Sequence, residues 1–175
     1  MNTYTESLFL RAPEPEDLAV MLAMENDAAA WTIGSATGYY SRYQLKRYIA
    51  ENQNDIYTDR QLRLMVVHPL DGVVAMVDLC SFHPRHNRAE VGVVVRTDRR
   101  RQGVGRRALQ LLEEHSFTRL GIHQLYAYIA ADNVYSLSLF RQEGFAECGC
   151  LRQWLYTPVG YQDVYVYQKI RPSVE

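Results

Sequence analysis

Arg99-Arg100-Arg101-Gln102-Gly103-Val104-Gly105-Arg106 decides how the chain is read. Upstream, Ala89-Glu90-Val91-Gly92-Val93-Val94-Val95 is a β-branched run of strand character, in which Gly92 marks a bulge or a close approach. Downstream, Val104, Ala108, Leu111 and Leu112 recur at helical spacing, so Gly103 opens a helix and Gly121 is placed to stop it. A glycine-bearing turn between strand and helix leaves the first helical N–H groups unpaired at the positive dipole end, which suits an anion. It is not a Walker loop, which needs Gly-Lys-Ser/Thr, and it lacks the third glycine and following acid of a dinucleotide-binding turn. On this stretch alone, three readings stay open: a nucleic-acid phosphate, a smaller anionic ligand, and a solvated basic helix start with no ligand.

Working outward, residues 62–68 and 73–82 are apolar, β-branched-rich runs joined by Pro69-Leu70-Asp71-Gly72, whose turn chemistry predicts an antiparallel hairpin. Residues 8–11 read as a first strand, after which Pro13 and Pro15 open a helix carrying Leu18, Met21 and Leu22. Ser41 and Gln44 form a capping box for a helix with Leu45, Tyr48 and Ile49. Before it, residues 26–40 read as a long loop with Trp31, Tyr39 and Tyr40 as candidate walls for a ligand. Towards the C-terminus, residues 123–130 form a strand, and Asn133 caps a helix over 135–142 that Gly144 closes. Residues 146–155 and 163–170 then make a hairpin across Pro158 to Gly160. The order βααβββαβαββ predicts one mixed α/β domain over residues 1–175, without linker or repeat.

Composition narrows the function classes. A formal net charge of -1 excludes a protein held on nucleic acid by its overall field, so any cationic site is local. No apolar run approaches the roughly 18 residues of a membrane span. Three cysteines cannot all pair, and no apolar signal segment follows the polar start, so the expected location is the reducing cytoplasm. Cys148-Gly149-Cys150 lacks a second Cys/His pair, and no metal is expected. The chain should fold alone or as a simple homo-oligomer.

Two motifs together resemble the GNAT superfamily of N-acetyltransferases. Arg100, Gly103 and Gly105 match its Arg/Gln-x-x-Gly-x-Gly/Ala signature. Asn133-Val134-Tyr135-Ser136, with Leu139-Phe140 and Gly144-Phe145, is similar to its Asn-x-x-Ser/Ala helix ending in Gly-Phe. The similarity runs from Leu10-Arg11 and Glu16-Asp17-Leu18 to Asp163 and Tyr165. Within the family, Val77-Asp78-Leu79 through Ala89-Glu90 is similar to bacterial spermidine N-acetyltransferases, with ribosomal-protein N-terminal acetyltransferases second. The resemblance implies a GNAT-like mixed, mostly antiparallel sheet of about seven strands flanked by about four helices. It also implies acetyl-CoA as co-substrate and a small-molecule primary amine, a polyamine, as acceptor, with a protein N-terminus as the alternative. Backbone groups of Val93, Val94 and Val95 would then pair with the pantetheine arm. After Arg100, the N–H groups of Arg101, Gln102, Gly103, Val104, Gly105 and Arg106 would hold the pyrophosphate. Asn133 would cap its helix and touch the cofactor.

Acetyl transfer needs a neutral amine, a polarised thioester carbonyl and a thiolate that can leave. Glu90 is the candidate general base, acting through water, because an alkylamine with a pKa of about 10.4 is mostly protonated at neutral pH. Asp78 is the reserve, and either carboxylate also reads as a solvent-facing strand residue. The carbonyl's donor would be a backbone N–H near Val93 if the family's strand bulge is present. Phe140 stands at the cofactor-side position where many members have the tyrosine that protonates the thiolate. Ser136 shares its helix face at i−4 and Tyr135 does not, so Ser136 or an ordered water takes that role. The missing tyrosine leaves a second class open, an acetyl-CoA-binding module without turnover. Glu14, Glu16, Asp17, Glu25 and Asp27 are placed like acids by which polyamine-acetylating relatives hold a cation, and equally like a solvated helix face.

Overall fold

One seven-stranded sheet in the order β1-β2-β3-β4-β5-β7-β6 carries the chain in this computed structural model, which describes residues 3–27 and 38–172. Strands β1 (Phe9–Arg11), β2 (Leu62–His68), β3 (Gly72–His83) and β4 (Arg88–Val95) pair antiparallel in sequence order. β5 (Gln124–Ala130) lies parallel to β4, and β7 (Gly160–Ile170) lies between β5 and β6 (Ala146–Thr157), antiparallel to both. The sheet is therefore mostly antiparallel, as the family resemblance implies.

Four helices reach eight residues or more among the described residues: α2 (Leu18–Glu25), α3 (Arg42–Glu51), α5 (Val104–Glu114) and α6 (Val134–Gln142). Two single turns escaped the periodicity reading, α1 (Thr3–Glu6) and α4 (Ile56–Asp59), because four residues are too few to show an apolar face. The Ser41/Gln44 capping box forms as expected, with Gln44 N–H donating to Ser41 Oγ and Ser41 N–H to Gln44 Oε1. α5 runs into a π turn at His115–Arg119, and Gly121, at φ 64°, stops it. The β6–β7 hairpin is longer than expected. Thr157 pairs with Gly160 across a two-residue turn, and the Tyr156 and Tyr161 rings meet edge to face at 5.5 Å, a cross-strand contact that extends the ladder.

Strand alternation sorts the apolar residues onto two faces. Met65, Met76 and Val94 point to one face and pack with Met21 and Met24 of α2 and Leu45 of α3. Val77, Leu79 and Val91 point to the other and pack with Val104, Ala108, Leu109 and Leu112 of α5 and Leu137 and Phe140 of α6. Burying each such side chain fully contributes about 1.5–3 kcal/mol, so both layers are firmly seated on the sheet.

Candidate active site

The sheet opens between β4 and β5. Only Arg88, Ala89 and Glu90 pair across, with Gln124, Leu125 and Tyr126. β4 then continues to Val95 and β5 to Ala130 without pairing each other, while β5 stays paired with β7 along its whole length. The closed end of this wedge is pinned by Asn87, whose Nδ2 donates to Gly121 O at 2.8 Å and whose carbonyl accepts from His123 N–H at 2.9 Å. Val93 and Val95 lean towards the α5 side and Val94 towards the α2 and α3 side, so backbone is what lines the open edge. Gly92 sits opposite Asp78, and a Cβ there would lie 3.4 Å from Asp78 Cβ. The close approach expected at Gly92 is present. The bulge is not: β4 keeps register with β3 from Ala75↔Val95 to Cys80↔Glu90, and the irregularity falls between Cys80 and His83 instead. A bulge-presented N–H near Val93 therefore drops out.

At the wide end, Thr97–Arg99 forms a 3-10 turn that leads into α5. Arg101 at φ 61° and Gly103 at φ 82° are both left-handed, a backbone form that gathers successive N–H groups around an anion. Gly103 is the N-cap of α5 and has no side chain to satisfy the N–H groups of its first turn, those of Val104, Gly105 and Arg106. Gly105 lets the helix start approach the sheet, since a Cβ on it would meet Val95 Cγ2 at 3.4 Å and Leu139 Cδ2 at 3.8 Å.

The arginine side chains of this stretch mostly bond inward. Arg96 donates to Val73 O at 2.8 Å and pairs with Asp98. Arg99 meets Asp71 at 3.0 Å. Arg100 reaches back to Val95 O at 3.2 Å and to Asp27 at 3.1 Å, and Asp27 also accepts from Thr97 Oγ1 at 2.6 Å. Arg101 lies over the Tyr135 ring and donates to its hydroxyl at 2.9 Å, and Arg106 holds Glu143 at 2.5 Å. The backbone of the loop, rather than its guanidinium groups, is left to face a ligand.

Glu90 marks the apex of the wedge. Cys80 and Tyr126 flank it on the neighbouring strands, and among the described residues its carboxylate has no hydrogen-bond or ion-pair partner. Burial pushes its pKa up from the usual carboxylate value. Burial also pushes the Cys80 thiol up to about 12, which keeps it from acting as a nucleophile.

Asp78 is differently placed. Arg63 on β2 donates to both of its oxygens, at 2.7 and 2.9 Å, and also to Glu25, while its guanidinium lies 5.6 Å from the Tyr48 ring centroid. Burial alone would lower Arg63, but Asp78 and Glu25 raise it well above its usual value. Both Asp78 oxygens are taken up by Arg63, so this carboxylate reads as a structural ion pair and Glu90 stays the first candidate base. Arg63 and Asp78 are each 15% exposed, so breaking the pair strands a desolvated charge. Asp78→Asn is expected to cost up to about 3–5 kcal/mol, read as a lower urea midpoint with unchanged slope, and Glu25 limits the loss by keeping its hold on Arg63.

Asn133 caps α6, its Oδ1 accepting from Ser136 N–H at 3.1 Å, which puts Ser136 in the helix's first turn. Phe140, expected beside the cofactor, is 5% exposed and packs edge-on to Phe145 at 4.9 Å. Its ring belongs to the core, because α6 turns this face to the sheet. Tyr39 is exposed, and both backbone groups of Tyr40 are clasped by the Asn26 side chain, at 2.8 and 2.9 Å. Trp31 lies outside the described residues.

An acetyltransferase (GNAT) domain model matches residues 7–146. The chain belongs to the GNAT acetyltransferase family. It is an acetyl-CoA-dependent N-acetyltransferase, acting on an amine. Spermidine N(1)-acetyltransferase of Vibrio cholerae is 25% identical over 157 residues, 90% of this chain and 89% of that protein. An uncharacterized N-acetyltransferase, p20, of Bacillus licheniformis is 25% identical over 170 residues, 96% of this chain and 95% of that one. The fold superposes on the crystal structure of the Vibrio cholerae spermidine N-acetyltransferase in complex with CoA and spermine with a TM-score of 0.87, at 23% identity, covering 95% of this chain and 96% of that chain.

In this GNAT chain three of the five acids around the first helix are spent on internal pairs. Asp17 is buried and held by Arg11 at 2.6 and 2.8 Å, and these bonds lower its pKa in spite of burial. Glu25 belongs to the Arg63 cluster and Asp27 to Arg100. Glu14 and Glu16 are exposed. No local pattern announces the Arg63 cluster, whose members lie 38 and 15 residues apart.

Proposed function

We propose that the donor lies in the β4–β5 wedge and that Glu90 is the general base for a polyamine acceptor. The observation that carries this reading is Glu90 itself: an unpaired carboxylate, raised by burial, at the last residue pair before the strands part. Bound acetyl-CoA supplies the acetyl group as a thioester. Main-chain groups of Val93, Val94 and Val95 hold the pantetheine arm along the open edge. N–H groups from Arg101, Gln102 and Gly103 through Val104, Gly105 and Arg106 hold the pyrophosphate, with Arg100 anchoring the loop from behind and Asn133 fixing the neighbouring helix start. Glu90 removes a proton from the incoming ammonium through water, so that the amine nitrogen can bond to the acetyl carbon as the carbon–sulfur bond breaks. The proton that the new amide nitrogen sheds passes through Ser136, or a water it orders, to sulfur. Since a thiol's pKa is about 8.5, the thiolate leaves tolerably without a strong acid, and burying Phe140 does not forbid turnover.

The polyamine reading is supported by the spermidine-acetylating relative and by the charge of the face. Glu25, Asp78 and Glu90 outnumber Arg63 there, so the wall stays negative. A second reading, a protein N-terminus as acceptor, is favoured by the tight Arg63 pairs, which leave fewer acids to hold a second ammonium. Spermidine is expected to show a kcat/KM at least about tenfold above that of a neutral peptide N-terminus. The ratio should fall as salt rises, because exposed charge attraction is screened beyond a Debye length of about 8 Å. Better turnover of the peptide would transfer the assignment to the N-terminal class.

A further inference from the structure

The family match begins at residue 7, and the turn before it has a place at the site. Tyr4, in α1, donates from its hydroxyl to Asp71 at 2.7 Å, and the same carboxylate oxygen meets Arg99 at 3.0 Å. The Arg99 guanidinium lies over the Tyr4 ring, 5.8 Å from its centroid. The Tyr4 ring also stacks on His68, at 4.1 Å and 14°. His68 Nδ1 accepts from the N–H groups of Leu70 and Asp71, so the ring also braces the β2–β3 turn. Arg96 bonds to that turn as well, through Val73 O. One residue further on, Thr5 Cγ2 lies 3.5 Å from where a Cβ on Gly103 would stand. Tyr4 thus ties three separate pieces of chain together: the N-terminal turn, the β2–β3 turn and the Thr97–Arg99 turn that delivers the backbone of residues 100–106.

We propose that Tyr4 is a positioning residue for the pyrophosphate loop, acting through Asp71 and Arg99. It fixes Arg99, and Arg99 fixes where the following left-handed residues present their N–H groups. Anion binding by backbone donors depends on their being held in place beforehand, so a loosened turn weakens the grip on phosphate while leaving the acceptor face and Glu90 untouched. This inference rests on the loop holding the pyrophosphate, and the test separates the two. Acetyl-CoA is compared with S-acetylpantetheine, a donor that lacks the pyrophosphate, in the wild type, Tyr4→Phe, Tyr4→Ala and Asp71→Asn.

For the wild type, kcat/KM with acetyl-CoA far above that with S-acetylpantetheine is expected, and near-equal values would overturn the loop assignment itself. Given that preference, Tyr4→Ala is expected to raise the KM for acetyl-CoA about tenfold with kcat within about twofold. Its kcat/KM with S-acetylpantetheine should stay near the wild-type value. Tyr4→Phe keeps the stack and loses only the hydroxyl, so it should fall between wild type and Tyr4→Ala, and Asp71→Asn should follow it. An equal loss with both donors, or a fall in kcat alone, would make Tyr4 a stabilising residue only and overturn the proposal. So would an unchanged KM for acetyl-CoA in folded Tyr4→Ala.

Discussion

Gly103→Glu should give a folded protein whose melting temperature no longer rises with acetyl-CoA. A ligand at 100 times its Kd stabilises the native state by about 2.7 kcal/mol, and that whole increment is expected to vanish. Two causes combine. The new carboxylate enters the space beside the α5 N-terminus, where it takes up the N–H groups itself and repels phosphate. The residue also sits at φ 82°, where any side chain is strained. Gly103→Ala separates the causes, since its methyl meets only Thr5 Cγ2 at 3.5 Å. It should lose about 1 kcal/mol of stability from strain while its melting temperature still responds to the ligand. A full response in folded Gly103→Glu, read by differential scanning fluorimetry, would remove the loop from the donor site.

Glu90→Gln is expected to lower kcat by about 10²- to 10⁴-fold at neutral pH while leaving acetyl-CoA affinity intact. The wild-type rate should climb with pH as the raised Glu90 carboxyl ionises. The deficit of the variant should shrink as pH nears the amine's own pKa of about 10.4, where no base is needed. Stability gives an independent reading. Because burial raises Glu90 in the fold, its contribution is full below the unfolded carboxyl value of about 4.3 and is lost as pH rises through the folded value. The glutamine cannot ionise and escapes that loss. Its melting temperature should therefore gain on the wild type as pH rises above about 4.3. An unchanged rate at neutral pH would make Glu90 an ordinary strand carboxylate.

Local signals carried most of the fold. Alternating apolar residues, the Pro69–Gly72 turn, the Ser41 capping box and the glycines that end α5 and α6 are all short-range chemistry, and each produced its element. The glycine-rich turn and the Asn133 cap were legible for the same reason. What the sequence hid depends on contacts between distant strands. Asp78 and Glu90 look alike as strand carboxylates. Only the placement of Arg63 beside one, and among the described residues of no ion-pair partner for the other, separates a structural ion pair from a candidate base. The family's tyrosine position suggests a ligand-facing ring at Phe140, and the motif carries no sign of the Phe145 packing that buries it. Tyr4 left no pattern at all, since its partners are 67 or more residues away or stack on its ring.

The narrow join between β4 and β5 has a mechanical consequence. Arg88, Ala89 and Glu90 are the only rungs between the two half-sheets, so the sheet has a seam partway across it. An extended molecule seated along the free edge of β4, as proposed for the pantetheine arm, would serve as a strand that the chain does not encode. The cohesion of the two halves would then rise with the supply of that molecule in solution, a small-molecule keystone in place of a rung of the protein's own.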